Sequence, residues 1–309
     1  MKTIFLTGAT GYIGGSVAST LLQNGHRVRG LVRNADSAAK VEERGIEPVL
    51  GSLDDSDLLT REARAADGVI NTASADHPAA VQALIAGLAG SSKLLIHTSG
   101  SSVVGDDVRG SRRSDTVYDE DTPFVVAPDK QARHELDRSV LAAAGQGIRS
   151  VVICPSLIYG VGRGINQSSV QIPFLARNAR EQGVVQLVGE GRNVWSNVHI
   201  DDVADLYLRA VTSAPAGAFY FAESGEASFN DIGAALAQRL GLSRVEALDP
   251  DVAAERWGRA KALFSLGSNS RVRAKRARRE LGWNPLHSSV IDWILTEMPV
   301  DKASLPLNS

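Results

Sequence analysis

The sequence predicts an α/β fold, a doubly wound parallel sheet with a smaller C-terminal lobe. Three observations predict it. Short apolar runs alternate with helical stretches through the first half of the chain, the rhythm of a parallel sheet covered on both faces. The first run, Thr3 to Thr7, passes directly into a turn punctuated by Gly8, Gly11 and Gly14. Beyond Pro155 the alternation loosens, and the stretch from Gly160 to Gly191 is rich in glycine and polar residues.

That first strand, turn and helix build a dinucleotide phosphate site of the Rossmann type. Gly8 permits the tight turn, Gly11 lets backbone approach a pyrophosphate, and Gly14 lets the helix sit close to the strand. The helix N-terminus adds a favourable field for phosphate. Thr7, Gly8, Thr10, Gly11, Tyr12, Ile13 and Gly14 are therefore expected to contact the cofactor. The second strand ends Val32-Arg33-Asn34. A site for NAD usually carries an acid there, whereas a guanidinium pairs with a 2′-phosphate. Arg33 thus points to NADP(H), although Asp36 also stands within reach of the ribose.

The remaining elements follow in order. Strands are expected at 28–32, 48–50, 68–71, 94–98 and 150–153, with helices at 14–24 and 79–89. Ligands of such sheets sit beyond the carboxyl ends of the strands. Thr7, Arg33, Ala73, Ser99 and Pro155 should then ring one crevice, with Ser52, Leu53, Thr72, Thr98, Leu157 and Ile158 as further cofactor contacts. Helices are expected at 172–180, 201–211 and 229–240, a strand at 218–222 and a basic helix at 271–281. Residues 1–160 read as mainly the dinucleotide-binding domain. Residues 161–309 read as mainly a substrate lobe, with 192–222 returning to the sheet.

Composition narrows the class. The chain has 309 residues, 43% of them hydrophobic, enough for a large core. A formal charge of -2 gives no reason to expect a nucleic-acid partner. Cys154 is the sole cysteine, which excludes an internal disulfide and a cysteine-based metal cluster. No apolar run approaches the roughly 18 residues of a membrane span, and no leader pattern opens the chain. A cytoplasmic enzyme with a small-molecule substrate, no membrane partner and a homodimer left open is the expectation.

Five motifs carry a family resemblance: Thr7 through Gly14, Ile96-His97-Thr98-Ser99, Pro155-Ser156-Leu157-Ile158-Tyr159-Gly160, Val198-His199-Ile200-Asp201-Asp202-Val203-Ala204, and Glu280-Leu281-Gly282-Trp283-Asn284-Pro285. Across residues 3–295 the chain resembles an extended, atypical short-chain dehydrogenase/reductase of the NAD-dependent epimerase/dehydratase family. The resemblance implies a serine, a tyrosine and a lysine at work, the last two spaced Tyr-x-x-x-Lys. Residues four apart share a helical face, and the lysine lowers the phenol pKa so that it passes a proton.

This sequence departs from that pattern. Four residues before Lys130 stands Val126; one residue later the pair is Ala127 and Gln131. Pro128 is placed to open the helix. Gly100 falls at the serine position, between Ser99 and Ser101. The resemblance implies Lys130 beside the cofactor ribose. Candidates for the missing acid are Tyr159, which otherwise walls the pocket, Tyr118 in a polar loop, and His134. Ser99 or Ser101 is expected to hold a substrate oxygen.

Trp195 falls where the family grips nucleotide-sugar phosphate with arginine, which favours a small or medium organic substrate. His199, Asp201 and Asp202 read as a helix cap rather than a metal site, and no metal is expected. The basic residues Arg271 to Arg279 read as a solvated helix. The leading functional expectation is an NADPH-dependent oxidoreductase acting on a C=O, C=N or activated C=C bond. The alternatives are an epimerase or dehydratase that recycles its cofactor, and a non-catalytic NADP(H)-binding sensor.

Overall fold

A computed structural model describes residues 1–300. Its strands are β1 (Thr3–Thr7), β2 (Arg27–Val32), β3 (Glu47–Leu50), β4 (Gly68–Asn71), β5 (Leu94–Thr98), β6 (Tyr118–Asp119) and β7 (Arg149–Pro155). They continue as β8 (Leu157–Tyr159), β9 (Val185–Val188), β10 (Val194–His199), β11 (Ala218–Ala222), β12 (Gly225–Ser228), β13 (Val245–Leu248) and β14 (Val272–Arg273). The helices are α1 (Tyr12–Gln23), α2 (Ala35–Glu42), α3 (Ser56–Ala65), α4 (Pro78–Leu88), α5 (Gln131–Ala142) and α6 (Gln171–Gln182). After them come α7 (Ile200–Ser213), α8 (Phe229–Leu240), α9 (Pro250–Trp257), α10 (Lys275–Leu281) and α11 (Val290–Thr296).

Seven strands form one sheet in the order β11-β7-β5-β4-β1-β2-β3, all pairs parallel. Side chains of a strand alternate between faces, and the core obeys this. Ile4, Leu6, Ile70, Ile96 and Val151 join one buried cluster with residues of α1 and α7. Phe5, Val69, Leu95 and Val152 join another with residues of α3, α4 and α5. Burial on both faces explains why these strands read as unbroken apolar runs. The strand order reverses between β1 and β4, so their carboxyl ends open a crevice, the usual ligand position in such sheets.

The smaller lobe has its own buried cluster, built from α6, α8, α11 and the residues Leu157, Tyr159 and Trp195. Its sheets are β12-β10-β8 and β13-β9. The expected basic helix begins later than the sequence suggests. Val272 and Arg273 are a strand paired with Tyr118 and Asp119, and only Lys275–Leu281 is helical. Glu226 explains the difference: it accepts from Arg271 Nη2 at 2.8 Å and Nε at 3.1 Å, holding this backbone extended.

Candidate functional site

The crevice begins at the glycine turn. Gly8 has a φ of +80°, and a Cβ on Gly14 would lie 2.1 Å from the Gly8 carbonyl oxygen. Neither position tolerates a side chain. A Cβ on Gly11 would meet only the Gly8 carbonyl oxygen, at 3.1 Å. Helix α1 starts from Gly11 with no capping side chain and no acid in its first turn, which leaves its field to an external anion. These features fit the diphosphate of a dinucleotide.

A cavity of about 550 Å³ continues from this turn into the smaller lobe. Gly11, Tyr12, Ile13 and Thr72 line it at the glycine turn, together with Ser99, Gly100, Lys130, Arg133, Pro155 and Ile158. Gln171, Trp195 and Phe264 also line it. Arg133 Nε donates to Asp76 Oδ1 at 2.7 Å and its Nη1 to Ser102 Oγ at 3.2 Å. A Cβ on Gly100 would sit 3.5 Å from Arg133 Nη1. Lys130 Nζ lies 5.4 Å from the Phe264 ring centre. Burial, then the neighbouring Arg133 charge, lower the Lys130 pKa.

Behind Ser99 lies a buried polar array. Ser99 Oγ donates to Asp137 Oδ2 at 2.6 Å. Asp137 Oδ1 faces His97 Nε2 at 3.7 Å, and both atoms lack a hydrogen-bond partner. Asn71 Nδ2 stands 3.0 Å from His97 Nδ1, and Thr7 Oγ1 donates to Asn71 Oδ1 at 2.5 Å. Burial pushes the Asp137 carboxyl up to about 7, against the Ser99 hydrogen bond and the Arg133 charge. Burial likewise lowers His97 to about 4.

The sequence-predicted residues divide. Gly11, Tyr12, Ile13, Thr72, Lys130, Pro155, Ile158, Ser99, Ser101 and Trp195 line the cavity. Thr7, Thr98 and Leu157 turn away from it: Thr7 bonds Asn71, Thr98 Oγ1 lies 2.6 Å from Tyr207 Oη, and Leu157 enters the small-lobe core. Thr10 and Ala73 stay at the turn through their backbone, since the Thr10 carbonyl accepts from Asn166 N and Ala73 N lies under Gly8. Ser52 and Leu53 do not reach the cavity lining; Ser52 Oγ accepts from Asp54 N, and Leu53 lies against the α3–α4 core.

None of the proposed acids is at the cavity. Tyr159 is buried against His199 and Trp293, and burial raises its pKa. Tyr118 pairs in β6 and meets Phe124 edge-on, and Phe124 in turn meets His134. Ser101 Oγ is committed to Ser270 Oγ at 2.7 Å. Arg133, Asp137 and Asp76 escaped sequence reasoning. Their signal was the spacing of Arg133 and Asp137, one helical turn apart on α5. His287 was also missed: its ring stacks on His199 at 3.9 Å, and with Asp201 the two place possible ligand atoms within 4.8 Å of one another. Within this group His199 Nδ1 accepts from Asp201 N, and His287 Nδ1 is bonded to Asp202 Oδ2.

A strap from the smaller lobe crosses the glycine turn. Tyr12 Oη donates to the Gly160 carbonyl at 2.9 Å, Arg163 N donates to Ser16 Oγ at 3.0 Å, and Asn166 N donates to the Thr10 carbonyl at 3.2 Å. A Cβ on Gly15 would lie 2.6 Å from Gly164 Cα.

Sheet order, glycine turn and cavity together define a dinucleotide-binding α/β protein. The chain belongs to the NAD dependent epimerase/dehydratase family, whose model matches residues 4–220. It is 34% identical to "Oxidase ucsJ" of an Acremonium species, over 92% of this chain and 93% of that one. The structure of DesIV, a dTDP-glucose 4,6-dehydratase of Streptomyces venezuelae solved with NAD and TYD, aligns with a TM-score of 0.75 at 21% identity, over 95% of this chain and 94% of that chain. The dTDP-glucose 4,6-dehydratase of Bacillus anthracis, solved with NAD, aligns with a TM-score of 0.74 at 18% identity, over 93% of each chain.

These findings correct the cofactor expectation. The family is NAD dependent and both solved structures hold NAD, which overturns NADP(H) and the NADPH-dependent reductase built on it. The physical reason lies at the tip of β2, where Arg33 is exposed and the corner also carries a carboxylate of the kind that bonds an NAD ribose. The next residue, Asn34, turns back to cap α2 by accepting from Ser37 N at 2.8 Å. Asp36, in the first turn of α2, is the acid of that corner.

Proposed function

We propose that this chain is an NAD-dependent enzyme of the epimerase/dehydratase type, in which the coenzyme is reduced and reoxidised within one turnover and stays bound. The observation that carries this reading is the strap at Gly160 to Gln167. Three hydrogen bonds and a glycine-on-glycine contact fasten it to the turn that would hold the diphosphate. Bound NAD supplies the acceptor and donor of a hydride at nicotinamide C4. Gly11, Ile13 and the N-terminus of α1 hold the diphosphate, and Lys130 and Arg133 face the cavity as cations. Ser99 offers the hydroxyl that meets a substrate oxygen, and Trp195 and Phe264 offer apolar faces to the rest of the substrate.

The substrate is a hydroxyl- or keto-bearing small molecule. Nucleotide sugars are the first class to test, because the solved relatives act on them and Lys130 offers a cation in the cavity. The test combines two measurements. Purified protein should retain NAD through gel filtration, and a panel of nucleotide sugars should yield product with no net change in nicotinamide absorbance. Stoichiometric accumulation of NADH with product would refute the recycling.

A further inference from the structure

We infer that Ser99 and Asp137 form the proton relay of this enzyme, with Ser99 touching the substrate oxygen and Asp137, buried behind it, holding the proton. The inference rests on the reading of the cavity as the redox site. Its ground is the direction of every hydrogen bond in the buried array. Thr7 Oγ1 donates to Asn71 Oδ1, which turns Asn71 Nδ2 toward His97 Nδ1. An amide nitrogen only donates, so His97 Nδ1 accepts, and the proton of the neutral ring sits on Nε2. That proton faces Asp137 Oδ1. Ser99 donates to Asp137 Oδ2. Ser99 is therefore the donor bonded to the buried carboxyl and opens onto the cavity, while the His97 ring stands 3.7 Å behind its other oxygen.

The surroundings allow Asp137 both protonation states near neutral pH. Facing it are Ser99 and His97 from β5, Cys154 from β7, Arg133 one turn earlier on α5, and Asp76 from the loop after β4. Burial opposes its charge, while the Ser99 hydroxyl and the Arg133 cation favour it. A group poised near the working pH both takes and returns a proton. The substrate hydroxyl gives its proton to Ser99 Oγ as the Ser99 proton passes to Asp137 Oδ2. The carbon-bound hydrogen leaves with its electron pair to the oxidised nicotinamide coenzyme, and the alcohol carbon becomes a carbonyl. The return step runs the same transfers backward, so the stored proton goes back to the same substrate. Asp137 acts through Ser99 and is a positioning residue; Ser99 is the catalytic one.

The test uses the full chain and two isosteric changes, Asp137→Asn and Ser99→Ala. Calorimetry with NAD comes first and judges the coenzyme reading alone: both variants should bind NAD within about threefold of wild type. Infrared titration from about pH 5 to about pH 9 then follows the carboxyl band. A protonated carboxyl that Asp137→Asn removes, and whose midpoint Ser99→Ala raises, supports the relay without any turnover assay. A carboxyl ionised throughout, or indifferent to Ser99, overturns it. With a substrate in hand, each variant should lose about 100-fold or more in kcat with KM within about threefold, and the double variant should lose no more than the worse single one. Asp137→Glu should regain part of the loss. Full kcat in Asp137→Asn, with an unchanged pH profile, would overturn the assignment even where NAD binds normally.

Discussion

Arg133 grips Asp76 with two prongs, Nε on Oδ1 at 2.7 Å and Nη2 on Oδ2, at the edge of the cavity. The pair joins the start of α5 to the loop after β4, and the Arg133 charge holds the Asp76 carboxyl below its ordinary range. Asp76 is more than half exposed, so solvent screens the pair and its contribution to stability is below about 1 kcal/mol. Its use lies in aiming the guanidinium. Arg133→Ala should lower kcat/KM at least tenfold (about 1.4 kcal/mol) with a small change in melting temperature. Arg133→Lys should recover little, because an ammonium cannot reproduce the planar fork. A large melting shift with unchanged kcat/KM would make the pair structural.

The glycine turn separates folding from binding. A Cβ at position 14 collides with the Gly8 carbonyl, whereas one at position 11 meets that oxygen at 3.1 Å and otherwise finds open space. Gly14→Ala should cost about 3 kcal/mol or more, an overpacking cost against backbone. Gly11→Ala should unfold within about 1 kcal/mol of wild type yet weaken NAD binding at least tenfold. Denaturant unfolding and calorimetry measure the two effects side by side. Equal effects of the two changes on stability would contradict this account.

Much of this architecture was legible because the central strands β1, β4, β5 and β7 are buried on both faces. Runs such as Leu94 to Thr98 had to be apolar, and the glycine spacing had to follow β1. The site was less legible because its residues act across long sequence separations. Asp137 reads as one more acid on an amphipathic helix until the fold sets Ser99 and His97 against it. Arg133 reads as a surface cation until Asp76 appears beside it. A Tyr-x-x-x-Lys pattern singles out Lys130, whereas Arg133 shares the inward face of α5 with Asp137. Arg33 misled in the opposite direction, since a cation at a strand tip is legible as a type, while Asp36 reaches the same corner only once α2 folds back beside it.

Tyr12 ties the strap to the turn by one hydroxyl. Tyr12→Phe keeps the ring that lies against Gly162 and removes only the bond to the Gly160 carbonyl. The change should cost about 1 kcal/mol of stability. NAD should dissociate faster, on the order of tenfold, because a neutral hydrogen bond of that size fastens the cover. Stopped-flow displacement of bound NADH reads the rate. An unchanged rate would show that the strap does not retain the coenzyme.

The basic stretch near the C-terminal end of the described chain is a latch. Arg271 is almost fully buried and donates to Glu226 and to the Ser114 carbonyl, so little solvent shares its charge. Glu226→Ala strands that cation and should cost about 3 kcal/mol or more. Arg273→Ala removes a partner that is two-fifths exposed and 3.4 Å away, and should cost less than about 1 kcal/mol. Chemical denaturation of the two variants gives the comparison, and similar losses would show that Arg271 is not held by Glu226.

The Asp137–His97 pair should leave a signature in stability against pH. Asp137 titrates near 7 in the fold, above an unfolded carboxyl near 4. Between those values the native state binds the extra proton, so this group makes stability fall as pH rises from about 4 to about 7. His97 titrates near 4 in the fold, below an unfolded imidazole near 6.5. Here the unfolded state binds the extra proton, and stability rises with pH across about 4 to 6.5. The two slopes oppose one another and nearly cancel in the intact protein. Asp137→Asn should expose the His97 slope and become more stable from pH 4 to 6.5, by on the order of 3 kcal/mol relative to the intact chain's profile. His97→Gln should expose the opposite slope over the same window. Urea unfolding at several pH values decides it: two variants with parallel profiles would mean that the buried pair does not carry these opposed protons.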